Sequence, residues 1–363
     1  MGSICTAPMT RSLPFAGASL GLPGRYYTEP EIYQRELKTL WRSSWQWVGR
    51  VEDLAAPGDY LTCMLGEEPI LVLRDEQGEL VALHNVCPHR GARLLSEARG
   101  NCKMLQCPYH AWTFDRQGQL VAVLQPKWFP DLDKSQISLA RARVECWGGF
   151  VFVNPDAEGE SLGEYLAGYP DYLAGWGERW EDLREVARTS YEEPINWKFI
   201  VENYVEDYHF TIAHARSLVP LFEVQNIRTL PTGRHIPILV PYVSEPPADP
   251  ATFRHWEQHR PSYQGFIFPN MMINTGKSGC SVWRVTPLGP ERSRLETIHY
   301  QTPGQYAAEP YLPESWAEVM EEDFAVCRLL QQGVGSRAYQ VRSLAEEHEL
   351  GVSHFHQVLA QYL

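Results

Sequence analysis

Two short cysteine–histidine pairs constrain the fold of this chain more strongly than any other feature of its sequence. The first pair is Cys87 and His89, and the second is Cys107 and His110, with seventeen residues between the pairs. Thiolates and imidazoles are ligands of iron and zinc, and each pair supplies one of each. We therefore predict that two opposed loops clamp a metal centre in this part of the chain.

Two kinds of metal centre fit this ligand set. In some two-iron clusters, two histidines replace two cysteines on one iron, which raises the reduction potential and yields a one-electron relay. A zinc ion bound by two cysteines and two histidines is the alternative. The ligand types alone leave the metal open, and the spacing favours the cluster. Cys102 and Cys146 lie in or near the same region and fit ordinary packing roles.

The composition excludes some classes of function. The chain has a formal net charge of −13 and no run rich in lysine or arginine, which argues against nucleic-acid binding. Its eight cysteines lack the spacing of a secreted disulfide scaffold. No window approaches the roughly 20 apolar residues of a membrane span, so we expect a soluble, cytoplasmic protein. Gly2 formally fits a myristoylation pattern, but nothing polybasic follows it.

The spacing of apolar residues changes along the chain. Residues Glu29–Gly49 carry apolar side chains at helical spacing and predict a helix. From Gly58 to about Asn154, short apolar runs between turn residues predict an antiparallel β domain. A second module of strands bracketed by helices predicts an α+β fold. Its expected elements are a helix over Trp197–Arg216, an irregular span over Pro231–Pro261, strands around Phe266–Ile273, Cys280–Thr286 and Arg294–Gln301, and a helix from about Pro313 to Gln332.

A second group of potential ligands begins at Glu206. Two neutral imidazoles and one carboxylate on one side of a ferrous iron leave positions open for dioxygen and substrate. His209 and His214 are the candidate imidazoles. Five residues advance a regular helix by about 500°, which leaves two side chains about 140° apart. We therefore predict a helix end or bulge between the two histidines, with Glu206 placed to hydrogen-bond a ligating histidine rather than bind the iron.

Both groups resemble the motifs of the Rieske-type non-haem iron oxygenases, the family of ring-hydroxylating oxygenase alpha subunits. The resemblance rests on Cys-Pro-His-Arg-Gly at 87–91, Cys-Pro-Tyr-His-Ala-Trp at 107–112 and the segment 196–214, and it extends from about Tyr26 to Leu363. It implies an all-β Rieske domain inserted into a helix-grip (START/Bet v1-like) catalytic domain, α+β overall. The expected ranges are an N-terminal segment with its helix at 1–43, the Rieske domain at 44–155 and the catalytic iron domain at 156–363.

The resemblance also implies the iron ligands. The family pattern of an aspartate eight residues before a glutamine and ten before a glycine selects Asp323 as the third ligand of the mononuclear iron, beside His209 and His214. By composition alone, the acidic run at 321–323 would be an ordinary solvated helix face. The expected ligands of the [2Fe-2S] cluster are Cys87 and Cys107 on one iron and His89 and His110 on the other.

The resemblance further implies an assembly of several chains. In the family, the acid at position 206 bridges a histidine of the catalytic iron to a cluster histidine of the neighbouring subunit. Glu206 would then link His209 to His110 of an adjacent chain, which implies a closed ring, a homotrimer. Asn203 falls where the family often has a polar residue close to the iron.

The implied activity is that of a terminal oxygenase component. Such a protein uses O2 and electrons relayed through the Rieske cluster to a mononuclear ferrous iron, and it hydroxylates or oxidatively demethylates a small organic substrate. The chain has no convincing Gly-x-Gly-x-x-Gly after a strand and no second ferredoxin-like cysteine pattern. NAD(P)H would therefore act only through a separate reductase, with or without a ferredoxin.

Three local features favour the branch that resembles choline, carnitine and glycine-betaine oxygenases. They are Ala111, Glu206 and the run 268–274 followed by 287–290. A quaternary ammonium group binds over aromatic faces by cation–π attraction. The candidate aromatic residues are Tyr204, Phe210, Phe266 and Trp283.

Other functions stay open at this point. Asp207 and Phe210 depart from the pattern of that branch, and an aromatic-ring dioxygenase is the first alternative. A zinc-stabilised binding module and a non-catalytic electron-transfer protein are alternatives of a different class. The metal ligands do not distinguish between the possible substrates.

Overall fold

The computed structural model describes residues 20–245, 261–277, 279–308 and 316–363, and two seven-stranded antiparallel sheets dominate them. Gly2 and its neighbours lie outside the described residues. The strands are β1 (Gln46–Arg50), β2 (Asp59–Leu65), β3 (Glu68–Arg74), β4 (Leu80–His84), β5 (Arg99–Asn101), β6 (Leu105–Gln106), β7 (Thr113–Phe114), β8 (Leu120–Ala122), β9 (Arg141–Trp147), β10 (Phe150–Asn154), β11 (Arg184–Glu193), β12 (Arg228–Thr229), β13 (Ile236–Val240), β14 (Ser262–Ile267), β15 (Met271–Gly276), β16 (Gly279–Gly289) and β17 (Arg292–Gln301). The helices are α1 (Arg25–Thr28), α2 (Pro30–Lys38), α3 (Leu40–Ser43), α4 (Leu162–Leu166), α5 (Tyr169–Leu173), α6 (Trp197–Tyr204), α7 (Phe210–Ala213), α8 (Pro303–Ala308), α9 (Ala317–Val334) and α10 (Leu350–Leu359).

The first sheet has the order β1-β10-β9-β4-β3-β2-β5. The segment between β5 and β9 forms a separate small sheet, β6-β7-β8. Successive residues of β3 face opposite sides, as the period of two along a strand requires. Leu71 and Leu73 join the apolar cluster that contains Cys87 and Cys107. Their neighbours on β3 join a separate cluster on the other face. The all-β organisation expected for this region is therefore present.

The second sheet has the order β11-β17-β16-β15-β14-β13-β12. Helix α9 packs with α6 on one side of it, and Phe324 of α9 lies in the same apolar core as Met272 and Leu295 of the sheet. The single strand predicted around Phe266–Ile273 is wrong, because the chain reverses between β14 and β15. The irregular span predicted over 231–261 contains β13, while its residues 246–260 lie outside the described ranges.

The N-terminal segment belongs to the core of the second sheet rather than the first. Tyr27 and Leu40 are buried with Trp197 of α6. The single helix predicted over Glu29–Gly49 is wrong in its second half, because α3 ends at Ser43. Strand β1 begins at Gln46, and four of its five buried residues pair with β10, with a register shift at Val48.

The helix predicted over Trp197–Arg216 is interrupted at residues 205–209, before His209, and the helix end predicted between the two histidines is the end of α7 at Ala213. Helix α6 ends at Tyr204, and the single turn α7 follows with His209 before it and His214 after it. The predicted C-terminal helix corresponds to α9, while residues 313–315 lie outside the described ranges. Among the described helices, none has both the length and the apolar composition that crossing a bilayer requires.

Candidate metal centres

The two cysteine-containing loops have the same backbone turn. Gly91 N–H donates to the carbonyl of Cys87 at 2.9 Å, and Ala111 N–H donates to the carbonyl of Cys107 at 3.0 Å. The fifth residue of each turn has a positive φ, 75° at Gly91 and 55° at Ala111. Glycine adopts this conformation freely, whereas alanine does so at a cost of about 1 kcal/mol. The sequence motif therefore encodes two equivalent loops, each of which presents its thiol from the first position.

The four predicted cluster ligands come from these two loops. Both thiols are buried. Burial raises the pKa of Cys87, and the neighbouring Cys107 thiol raises it further. The imidazoles of His89 and His110 lie with their ring centroids 4.8 Å apart, and Trp112 stacks on His89 at 4.6 Å.

The chemistry of this donor set fits a metal cluster. Nδ1 of His89 is buried and finds no hydrogen-bond partner in the described part of the chain. A buried polar atom without a partner is costly unless a ligand satisfies it. Two buried thiols and an orphaned imidazole nitrogen on opposed loops are the donors that a two-cysteine, two-histidine cluster uses.

The second candidate centre combines residues that are far apart in sequence. His209 and His214 flank α7, and Asp323 lies on α9. Oδ1 of Asp323 lies 2.9 Å from Nε2 of His214 and 3.5 Å from Nε2 of His209. Metal bonds of about 2.1 Å place adjacent ligand atoms about 3 Å apart at right angles. The three side chains are therefore spaced to hold one divalent ion.

Each histidine of this group also has a carboxylate at its other ring nitrogen. Nδ1 of His209 contacts Oε1 of Glu206, and Nδ1 of His214 lies 2.7 Å from Oε2 of Glu322. A neutral imidazole has one N–H and one lone pair. If Nδ1–H donates to the outer carboxylate, Nε2 turns its lone pair toward Asp323. This is the tautomer that a metal bound between the two Nε2 atoms and Asp323 requires.

The protonation equilibria reflect this close packing of opposite charges. Burial lowers the pKa of His209, but contacts with Asp323 and Glu206 outweigh burial and raise the pKa to about 9. Burial also opposes protonation of His214, yet Asp323 and Glu322 raise its pKa overall. Burial raises the pKa of Asp323, and hydrogen bonds from the two histidines outweigh it, so this pKa is lowered. The carboxylate is thus held in the ionised form that binds a cation.

Glu206 and Asn203 both lie beside His209. The second carboxylate oxygen of Glu206 accepts hydrogen bonds from the backbone N–H groups of Tyr208 and His209, the latter at 3.2 Å. Nδ2 of Asn203 lies 3.5 Å from Nε2 of His209. Glu206 therefore contacts Nδ1 of His209, and Asn203 lies near Nε2, the nitrogen of His209 that faces Asp323.

A cavity opens beside the second centre. His209, His214, Asp323 and Asn203 line one end of it. Of the aromatic residues predicted to hold a cation, Phe266 does not line the cavity, because it is fully buried against Phe355. The aromatic residues of the cavity wall are Tyr204, Phe210, Phe222, Tyr242, Trp283, Trp316, Phe324 and Tyr300.

Sequence reasoning missed several residues of this site. Glu322 and Ser217 both lie at Nδ1 of His214, and Ser217 also donates a hydrogen bond to Glu322. Trp316 lines the cavity. An acidic run on a helix carries no sign of which carboxylate points inward. The spacing of Ser217, three residues after His214, was the one available signal.

Two family models match this chain. The Rieske [2Fe-2S] domain model matches residues 44–147, and the ring hydroxylating alpha subunit (catalytic domain) model matches residues 180–363.

Similar proteins match along most of the chain. The carnitine monooxygenase oxygenase subunit of Escherichia coli K12 is 31% identical over 354 residues, which cover 94% of this chain and 93% of that protein. The glycine betaine monooxygenase oxygenase subunit of Chromohalobacter salexigens is 28% identical, over 92% of this chain and 84% of that protein. The solved structure of a quaternary ammonium Rieske monooxygenase superposes with a TM-score of 0.81 at 26% identity, covering 95% of this chain and 96% of the other.

Proposed function

We propose that this chain, which belongs to the ring-hydroxylating alpha-subunit family of Rieske oxygenases, oxidises a quaternary ammonium compound beside His209, His214 and Asp323. It is an oxidoreductase, the oxygenase component that receives electrons from a separate reductase through a Rieske [2Fe-2S] cluster and passes them to a mononuclear iron. The resemblance seen in the sequence is thereby confirmed, and the zinc-module alternative is wrong. The chain contains a Rieske β domain and a catalytic domain.

The observation that carries the proposal is the position of the candidate iron ligands at one end of an aromatic-lined cavity. His209, His214 and Asp323 would hold the mononuclear iron, and Cys87 and Cys107, with His89 and His110, would hold the cluster. When bound, ferrous iron offers open positions for dioxygen, and the cluster supplies electrons singly. Asn203 borders the same space, and aromatic side chains form much of its wall.

The aromatic walls support a cationic substrate. Tyr204 and Trp283 pack edge to face, with ring centroids 5.5 Å apart at 62°, and both line the cavity with Phe210. A desolvated quaternary ammonium gains about 2 kcal/mol over such a ring. The matched relatives are named for carnitine and glycine betaine. Monooxygenation would insert one atom of O2 into a C–H bond, while the other atom leaves as water with two electrons and two protons.

The electron path would pass between chains. Tyr109, which stacks on His110 at 3.7 Å, is 58% exposed. On the catalytic side, Tyr208 and Ile212 are 64% and 85% exposed close to Glu206 in sequence. Apolar side chains exposed at both ends of the proposed path fit contact surfaces between subunits. A homotrimer joined by Glu206 and a neighbouring His110, a helix-grip class for the second sheet and a cytoplasmic location are part of this proposal.

A substrate panel tests the proposed activity. The protein, with both metals loaded anaerobically, is combined with a reductase and offered quaternary ammonium compounds and aromatic acids. Substrate-dependent O2 consumption with an identified product is expected for a quaternary ammonium compound. Turnover of aromatic acids alone would contradict the substrate class, and absence of acid-labile sulfide would contradict the cluster. The mass of the assembly in solution tests the trimer.

A further inference from the structure

Glu322 contacts the side of the His214 ring that faces away from Asp323. The two acidic residues are consecutive on α9, yet they approach different nitrogens of the same imidazole. Oδ1 of Asp323 lies 2.9 Å from Nε2, and Oε2 of Glu322 lies 2.7 Å from Nδ1. The His214 side chain is 1% exposed, so no solvent competes for either nitrogen.

A third side chain holds Glu322 in place. The hydroxyl of Ser217 donates a hydrogen bond to the same Oε2 that contacts His214. Ser217 lies three residues beyond His214, and its hydroxyl oxygen is also 3.5 Å from Nδ1 of that histidine. The neighbouring Glu321 points elsewhere, since it is 66% exposed and pairs with Arg328. Glu322 is thus the member of the acidic run that serves His214.

We propose that Glu322, held by Ser217, is a positioning residue for the catalytic iron: it accepts the Nδ1–H of His214 and so presents the Nε2 lone pair to the metal. The proposal rests on the proposed function, because it assumes iron at His209, His214 and Asp323. Carboxylates that hold a ligating histidine in this way raise its basicity and fix its ring orientation.

The role of Glu322 differs from that of Glu206. Glu206 also accepts two backbone N–H groups and lies in the segment proposed to meet a neighbouring chain. Within the described ranges, Glu322 contacts Ser217 and His214 of its own chain. Glu322 therefore acts on iron retention alone, whereas Glu206 holds His209 and would also take part in the arrival of electrons. Substitution of the two residues should affect different steps.

The test uses the full-length protein with its cluster intact. Ferrous iron binding to the mononuclear site is measured by competition with a chelator for the parent, Glu322→Gln and the control Glu321→Gln. We expect Glu322→Gln to weaken iron binding about 10- to 100-fold, with unchanged cluster absorption and melting temperature. Glu321→Gln should bind iron as the parent does, because that carboxylate lies on the surface. The nitric oxide complex of the bound iron should show an altered EPR spectrum only in Glu322→Gln.

A second variant keeps the test decisive if Glu322→Gln folds poorly. Ser217→Ala removes only the hydroxyl that holds Glu322, and a several-fold loss of iron affinity is expected. Parent-like iron affinity in both variants would overturn the proposal. A parent that binds no iron at these residues would overturn the proposed function as well. A parent that binds iron but oxidises no quaternary ammonium compound would overturn only the substrate class.

Discussion

Lys198 and Glu36 form an ion pair that is closed to solvent, with Nζ 2.6 Å from Oε1 and side chains that are 1% and 0% exposed. Trp197 donates its indole N–H to the other carboxylate oxygen at 2.9 Å. The pair joins α2, near the N-terminus, to α6, the helix that carries Asn203. The N-terminal segment is therefore tied to the catalytic module by charge as well as by apolar contacts.

We expect Lys198→Met to lower the free energy of unfolding by about 3–5 kcal/mol, because it leaves the charge of Glu36 buried without a partner. The double variant Lys198→Met with Glu36→Gln should recover much of this loss, since the amide keeps an acceptor for Trp197. Denaturant unfolding followed by tryptophan fluorescence measures both. Equal stabilities of the single variant and the parent would show that the pair is not needed.

Glu206→Gln should leave both metals bound and slow the transfer of electrons to the catalytic iron. The amide keeps the shape of the side chain but loses the charge that holds His209 and that is proposed to link it to a neighbouring His110. Rapid-mixing measurement of cluster reoxidation in the presence of substrate and O2 reports this step. Full coupled turnover in the variant would refute the bridging role.

Asp323→Ala should lose the catalytic iron and keep the cluster. The substitution removes the carboxylate that lies beside the Nε2 atoms of His209 and His214. The loops of Cys87 and Cys107 pack in the core of the first sheet, so they keep their structure. Iron and sulfide analysis should then give the content of the cluster alone, with visible absorption unchanged and substrate oxidation abolished. Retention of the additional iron would mean that another residue is the third ligand.

Trp283→Leu should raise the KM of a quaternary ammonium substrate about 10- to 30-fold, because an apolar side chain without a ring loses the cation–π contact. The change in kcat should be smaller, as Trp283 is not one of the proposed iron ligands. Phe266→Leu is the control, since Phe266 lies outside the cavity lining. A similar KM in both variants would argue against binding of the cation at Trp283.

Gly351→Ala should destabilise the protein by about 1–3 kcal/mol through overpacking. A Cβ at Gly351 would lie 2.0 Å from the carbonyl oxygen of Val205, where α10 crosses the end of α6. Gly333→Ala on α9 is the matched control, because a Cβ there meets nothing within 4 Å. The control should gain up to about 1 kcal/mol from helix propensity. Melting temperatures of the two variants should therefore move in opposite directions.

The local motifs allowed the cluster loops to be predicted from sequence. Cys87 and Cys107 each begin a five-residue turn, and such a turn brings its thiol and imidazole together whatever the rest of the chain does. A departure from a regular helix around His209 and His214 was also predictable, because helical geometry forbids their convergence on an unbroken helix. The break itself lies at residues 205–209, before His209, and α7 ends at Ala213 between the two histidines. The boundaries of strands were harder to predict from the sequence. The reversal between β14 and β15 lies inside an apolar run that reads as one strand.

The motifs around Cys87, Cys107 and His209 were sufficient to identify the family, and with it the separate reductase, because each motif consists of residues a few positions apart. The folded chain was needed to show that Glu322 contacts Nδ1 of His214 and that Asp323 contacts Nε2. Glu321, Glu322 and Asp323 are three consecutive carboxylates, and the sequence does not distinguish their directions. Their directions are set by the packing of α9 against α6 and the segment around α7, more than one hundred residues earlier in the chain.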